Sequence, residues 1–273
     1  MPCQAHDGRA PVLVQSSASV LDTFSVESCH NRGGIGVLTS RVATLQDNSA
    51  HGEDNYLIRA LGEHAFLDAI MDGVTGRGGK QASRLAVEAL AVARLTSAGD
   101  MLAVLEKVNR QLYDRGGGSL LLTTVSAALC IDDKLSIAGV GDSSAFLIRS
   151  KSFQYLCSPR PGMFLGAHVQ LQGLYCTEVT IEPGDRLVLA TDGITDNIAS
   201  RDLVEIIRHA ESPDTAAGQL STLMATRSAG GGLSAPMGGR FRYDDWTAIV
   251  RFFSALGQEG PAKNPGGTNI KVR

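Results

Sequence analysis

Hydrophobic periodicity changes several times along this chain, and the order of the changes restricts the folds open to it. The first part holds strand-length stretches at Leu21–Val26, Gly34–Leu38, Asn55–Ala60 and Ala65–Met71, the last two forming a hairpin interrupted at Gly62. Residues 42–53, polar and glycine-containing, read as a loop between them. From Gly79 the spacing becomes helical, with Ala82, Leu85, Ala86, Ala89, Leu90 and Ala93 on one side. A second helix is predicted from an Asp100 N-cap, with Leu102, Leu105, Val108 and Leu112 along its apolar face. Gly116-Gly117-Gly118 stops it. Strand-like segments then follow closely at Leu120–Ile131, Leu135–Val140, Ala145–Arg149, Phe153–Leu156, Leu174–Ile181 and Arg186–Ala190, separated by turns such as Asp132-Asp133-Lys134 and Pro183-Gly184-Asp185. Helical spacing returns at Ser200–Ala210 and again after Ser212-Pro213, and Trp246–Phe253 is a last strand. This order does not fit regular βαβ alternation. It predicts an α+β architecture of antiparallel sheets covered by helices.

Composition narrows the functional classes. With 43% apolar and 19% charged residues over 273 positions, the chain is expected to be globular with a full core. A net charge of −3 excludes a generally basic, nucleic-acid-coating protein, so no nucleic-acid partner is expected. No apolar run approaches the roughly 18 residues that span a bilayer, and Met1–Ala10 lacks the basic-then-apolar order of a signal peptide. Five scattered cysteines without a CxxC pair indicate reduced thiols and a cytoplasmic location. The expected organisation is a flexible arm over residues 1–18, one domain over 19–255 and a disordered Gly/Pro-rich tail over 256–273, in a monomer.

The acids carry the chemistry. Asp54 opens a strand, Asp72 and Asp192 each end an apolar run and precede glycine, and Asp244-Asp245 immediately precedes the last strand. A carboxylate at the end of a buried strand needs a partner. Several converging carboxylates repel one another and take up protons unless a cation neutralises them. Hard divalent cations prefer oxygen ligands. Two such ions about 4 Å apart can hold a hydroxide and clamp a phosphoryl oxygen. A single Asp-Gly is also a common turn pair, so the information lies in the set.

Taken in order, the blocks Glu53-Asp54-Asn55, AFLDAIMDGVTG, LLLTTVSAALC, LSIAGVGDSSAFLI, PGDRLVLATDGITD and YDDWTAIV resemble the metal-dependent serine/threonine phosphatases of the PP2C type, the PPM superfamily. The resemblance covers roughly residues 33–253. It implies a four-layer α-β-β-α sandwich, two antiparallel sheets flanked by helix pairs, with a cleft at one end holding two Mn²⁺ or Mg²⁺ ions and a possible third. It implies hydrolysis of a phosphorylated protein by a hydroxide bridging the two ions, without a phosphoenzyme. By position, Asp72 matches the bridging ligand, the Gly73 carbonyl a backbone ligand, and Asp192 and Asp244 the remaining ligands. Asp54 matches a carboxylate on the metal waters, and Asp142 one that holds a weaker third ion. Asp244 is preferred to Asp245 because the family aspartate stands first in its pair.

Departures from the pattern sharpen the question of activity. The family's phosphate-gripping arginine stands four residues before the Glu-Asp pair, where this chain has Ser49, leaving Arg41 as the substrate-binding candidate if residues 42–52 are an insertion. Val74-Thr75-Gly76 replaces the usual His-Gly-Gly or Met-Gly-Gly, so no histidine there protonates the leaving group. The alternative reading is a catalytically weak or inactive relative acting as a regulatory binding module. A P-loop over Gly73–Gln81 fails because Val74 and Gln81 break its pattern. The short stretch between the Asp142 and Asp192 blocks points to the compact bacterial forms, including regulators that dephosphorylate partner proteins.

Overall fold

The computed structural model of the chain describes residues 12–15, 23–26, 38–62, 64–229 and 241–255. In chain order the elements are β1 (Val12–Gln15), β2 (Thr23–Val26), β3 (Leu38–Asp47), β4 (Asn55–Gly62), β5 (Ala65–Met71), α1 (Gly79–Val92), α2 (Ala98–Gly116), β6 (Val125–Ile131), β7 (Lys134–Val140), β8 (Ser144–Ile148), β9 (Phe153–Cys157), β10 (Tyr175–Thr180), β11 (Arg186–Ala190), α3 (Asp192–Thr195), α4 (Ser200–His209), α5 (Pro213–Ala229) and β12 (Trp246–Ala255). The strands form two six-stranded sheets, ordered β1-β4-β5-β6-β7-β10 and β2-β3-β12-β11-β8-β9. Every strand pairing is antiparallel. The sheets lie face to face, α1 and α2 cover the first, and α4 and α5 cover the second. This is the four-layer sandwich expected from the sequence.

Strand alternation builds three apolar layers. On β5, Leu67, Ala69 and Met71 turn towards Ala82, Ala86 and Leu90 of α1, while Phe66 and Ile70 turn towards the other sheet. On β12, Ala248, Val250 and Phe252 meet α4 and α5, while Ile249 and Phe253 face the first sheet. The period of two decides which side chains fill the middle layer. Two members of that layer are charged. Asp68 of β5 and Arg251 of β12 are 0% and 1% exposed and form a fork-to-fork pair at 2.7 and 2.8 Å. Arg251 also donates to Ser40 Oγ at 2.9 Å and lies 3.8 Å from the centre of the Phe66 ring.

Several boundaries differ from the sequence reading. Residues 42–47, read as loop, belong to β3, the strand between β2 and β12. Its polar residues Thr44 and Gln46 are buried, which hid the strand from a hydrophobicity pattern. Gln46 Nε2 donates to Thr247 Oγ1 at 3.1 Å. The N-cap of α2 is Ser97, whose hydroxyl accepts the Asp100 N–H, so Asp100 lies in the first turn. Gly117, in the left-handed region at φ 63°, closes that helix within the expected glycine run. Strand β6 starts at Val125 rather than Leu120, because Leu121 has φ 57° and breaks the extended chain. Strand β1 falls within the segment expected to be a loose arm, pairing with β4. The rest of that arm, the candidate strand over residues 34–37 and the 256–273 tail lie outside the described residues. Among the described residues no helix is long and apolar enough to cross a membrane.

Candidate metal centre

The acids gather at one end of the sandwich because antiparallel register brings distant strand ends together. β12 pairs with β11 and β3, so Asp192, just past β11, lies near the chain entering β12, and Asp47 stands opposite Trp246. On the other sheet Asp72 leaves the end of β5. Its backbone is held on both sides: the N–H donates to Thr124 Oγ1 at 3.0 Å, and the carbonyl accepts from the Thr124 N–H at 2.7 Å and from Thr123 Oγ1 at 2.8 Å. Thr124 Oγ1 shares a 2.8 Å hydrogen bond with Ser143, beside Asp142. One threonine thus ties the Asp72 backbone to the turn that carries Asp142.

Two glycines make these approaches sterically possible. A Cβ on Gly73 would meet the Gly79 backbone at 2.3 Å, so the turn after Asp72 closes onto the start of α1 only without side chains. A Cβ on Gly193 would lie 2.0 Å from the Asp245 carbonyl oxygen, so the one-turn helix α3 seats against the Asp244-Asp245 segment only with glycine there.

The resulting geometry separates the acids by role. Carboxylate oxygens of Asp72, Asp142 and Asp192 lie within 4.8 Å of one another. Asp54, 1% exposed, stands behind them, its Oδ2 accepting from Thr191 Oγ1 at 3.0 Å. Asp244 is not in the tight group of three. Its Oδ1 lies 3.2 Å from His51 Nδ1 and accepts the Asp245 N–H. Asp245 is 3% exposed and accepts the N–H groups of Ala50, His51 and Glu53 at 3.1, 2.9 and 2.7 Å. It organises the 48–53 loop through both of its oxygens. Glu53 accepts from Thr75 Oγ1 at 2.6 Å, so the residue after Val74 braces the loop.

Electrostatics show what the pocket lacks. Burial, with the charges of Asp245 and Asp192, pushes Asp54 up to about 8 against the Thr247 and Thr191 hydroxyls. Burial pushes Asp72 well above its ordinary range, reinforced by Asp54 and Asp192. Burial lifts Asp192 to about 6 against a hydrogen bond from the Asp72 carboxyl, with the charges of Asp142, Asp244 and Asp196 adding, and burial raises Asp142, with Asp196 and Asp244 adding. Burial and like charge set these shifts, against hydroxyl, backbone and carboxyl hydrogen bonds. Asp54 Oδ1 and Asp192 Oδ1 are buried without a hydrogen-bond partner. Unpartnered carboxylate oxygens on a repelling, all-oxygen donor set fit hard divalent cations such as Mg²⁺ or Mn²⁺.

A consequence for stability follows by linkage. A carboxyl with a raised folded pKa holds a proton that the unfolded chain releases, so stability falls as pH rises from the ordinary value towards the raised one. For Asp192 and Asp54 that interval runs from 3.8 to about 6 and about 8. The metal-free chain is expected to melt at a lower temperature at about pH 8 than at about pH 5.5, with Mn²⁺ raising the melting temperature more at the higher pH. Calorimetry with and without chelator tests this. Stability of the metal-free chain that rises over the interval contradicts a proton-holding pocket.

Arg41 does not join the acids. It lies six residues along β3 from Asp47, roughly 20 Å at strand rise, and pairs with Asp214 of α5 at 3.3 Å. Residues 42–47 are strand, so the insertion that would bring Arg41 to the cleft is absent. Sequence reading also passed over Thr191, Thr247 and Thr124, which hold Asp54 and Asp72. Thr191 stands next to Asp192 and Thr247 two residues after Asp245, but Thr124 lies in a stretch without acids and carried no local signal.

A two-sheet α-β-β-α sandwich with aspartates converging at one end defines the class of the PP2C-type phosphatases. The sequence matches the family of Stage II sporulation protein E (SpoIIE) over residues 67–251, and the chain belongs to that PP2C-like family. Solved structures share the fold. Serine/threonine phosphatase Stp1 from Staphylococcus aureus is 19% identical, with TM-score 0.67 over 81% of this chain and 98% of its own. RsbX in complex with magnesium is 16% identical, with TM-score 0.64 over 86% of this chain and 100% of its own. The catalytic domain of the serine/threonine protein phosphatase PstP, in complex with two manganese ions, is 24% identical, with TM-score 0.62 over 80% of this chain and 99% of its own. No curated protein sequence matches.

Proposed function

We propose that the chain is a Mn²⁺- or Mg²⁺-dependent phosphoprotein phosphatase that hydrolyses phosphoserine or phosphothreonine monoesters at a two-cation site. The observation that carries the reading is the mutually repelling set Asp72, Asp142 and Asp192, with unpartnered carboxylate oxygen buried beside it on Asp54 and Asp192. Membership of the SpoIIE family supports it, as do the cations named with PstP and RsbX. Divalent cations bound there supply Lewis acidity towards the phosphoryl oxygens and make a water acidic enough to attack at neutral pH.

The chain's own residues divide the remaining work. Asp72, Asp192, Asp244 and the Gly73 carbonyl would hold the pair, and Asp142 would hold a third, weaker ion. Asp54 is fixed through Oδ2 by Thr191, leaving Oδ1 to accept a hydrogen bond from water at the centre. With Val74-Thr75-Gly76 after Asp72-Gly73, the leaving alkoxide takes its proton from water rather than from a histidine in that turn. Overall, one water is added across the P–O bond, releasing the alcohol and phosphate. The enzyme is read as a monomer acting in the cytoplasm.

The test is turnover of p-nitrophenyl phosphate and a phosphoserine peptide with Mn²⁺, Mg²⁺ or chelator. Turnover requiring the cation is expected, and turnover at full rate in chelator defeats the mechanism. Cation-dependent phosphopeptide binding without turnover selects the regulatory binding module, a reading favoured by Arg41 being committed to Asp214.

A further inference from the structure

We propose that Arg242 is the substrate phosphate ligand of this site, in place of the arginine missing at position 49. The assignment rests on the phosphatase reading above and adds a residue to it. Arg242 pairs through Nη1 with Asp196 Oδ2. Asp196 caps α3 four residues after Asp192, its N–H donating to the Asp192 carbonyl at 2.7 Å, so the two acids lie on one face a single turn apart. The Arg242 guanidinium therefore sits on Asp196, an acid one helical turn from Asp192 and one whose charge reaches both Asp142 and Asp192.

Its backbone is anchored to the same turn. Asn197, 1% exposed, accepts the Arg242 N–H at 2.8 Å and donates to the Arg242 and Gly193 carbonyls, each at 2.9 Å. Two residues later the chain presents Asp244. The root of the side chain is fixed while its tip is not: the Arg242 side chain is 73% exposed and makes one carboxylate contact. A long side chain with a held backbone and one exchangeable partner can turn from Asp196 to an incoming phosphate, and a guanidinium can grip two phosphate oxygens at once.

Several other arginines among the described residues have partners elsewhere. Arg59 donates to the Leu90 and Ala93 carbonyls at 2.9 and 2.6 Å. Arg77 is directed to the Ser119 carbonyl at 3.3 Å. Arg160 lies 5.6 Å from the Tyr175 ring centre, Arg227 pairs with Asp202, and Arg251 is sealed between the sheets.

The probe is inorganic phosphate, titrated calorimetrically into Mn²⁺-loaded protein, so the readout does not depend on turnover. Arg242→Ala is expected to weaken phosphate binding about tenfold or more, the loss of a charge-assisted bidentate contact. Asp196→Asn, which releases the guanidinium, is expected to bind phosphate at least as tightly as wild type. In steady state Arg242→Ala raises KM for the phosphopeptide, and Arg242→Lys recovers only part of the loss. Phosphate binding by Arg242→Ala equal to wild type overturns the proposal. So does an equal loss in both single variants, which marks the ion pair as a structural latch. So does a wild-type protein that binds Mn²⁺ but no phosphate. Wild type that binds phosphate through Arg242 yet turns over no phosphoester overturns the phosphatase reading and upholds Arg242 as a ligand.

Discussion

Replacing Asp192 by asparagine is expected to remove phosphatase activity while making the metal-free protein more stable. Asp192 belongs to the tight group with Asp72 and Asp142, and its Oδ1 is buried without a partner. A cation polarising the phosphoryl group contributes several kcal/mol to the transition state, so losing a ligand should lower kcat by about a thousandfold or more. Stability moves the other way. At pH 8 the ionised Asp192 is held among the like charges of Asp142, Asp244 and Asp196. The neutral amide removes that repulsion, so metal-free Asp192→Asn should melt above metal-free wild type and gain little from Mn²⁺. Paired kinetics and calorimetry at about pH 8 check both halves. A variant that loses activity and also melts lower without metal would show that the acid braces the fold rather than serving a cation.

The other large effect lies away from the site. Arg251→Met leaves Asp68 as an unpaired charge between two sheets, at 0% exposure. Breaking a buried ion pair on one side costs about 3–5 kcal/mol, a large share of the roughly 5–15 kcal/mol that holds a domain together. Equilibrium urea unfolding should show that loss. The double variant Asp68→Leu/Arg251→Met, which removes both charges, should recover most of it, because desolvation offsets much of the attraction in such a pair. A double variant no better than Arg251→Met would mean that the stacking on Phe66 and the bond to Ser40 carry the stability instead. The pair also fixes which strands face each other, since a one-residue slip of β5 or β12 would turn one charge out of the middle layer.

What could be read in advance depended on how local each signal was. The hairpin of β4 and β5, helix α1, the glycine stop of α2 and the short strands from β7 to β11 are written in periodicity and turn residues a few positions long, and they stand close to where they were expected. Strand β3 was not legible because its inward polar residues find partners on other strands: Gln46 on Thr247, and Thr39 on the Ser254 carbonyl. Arg41 illustrates the same limit. Its suitability as a phosphate ligand depended on a loop at 42–52, and the pairing of β3 with β12 replaced most of that loop by strand.

The chain by itself determined that acids end its apolar strands and that glycine follows two of them, since these are properties of adjacent residues. Packing alone decided that Asp142 rather than Asp244 completes the tightest group, that Asp245 is spent on three loop amides, and that Arg242 stands beside Asp196. Those outcomes depend on sheet register and on how two loops close over the strand ends. Residues as far apart as 54 and 191 meet only when both sheets are assembled, and no pattern confined to neighbouring positions carries that distance.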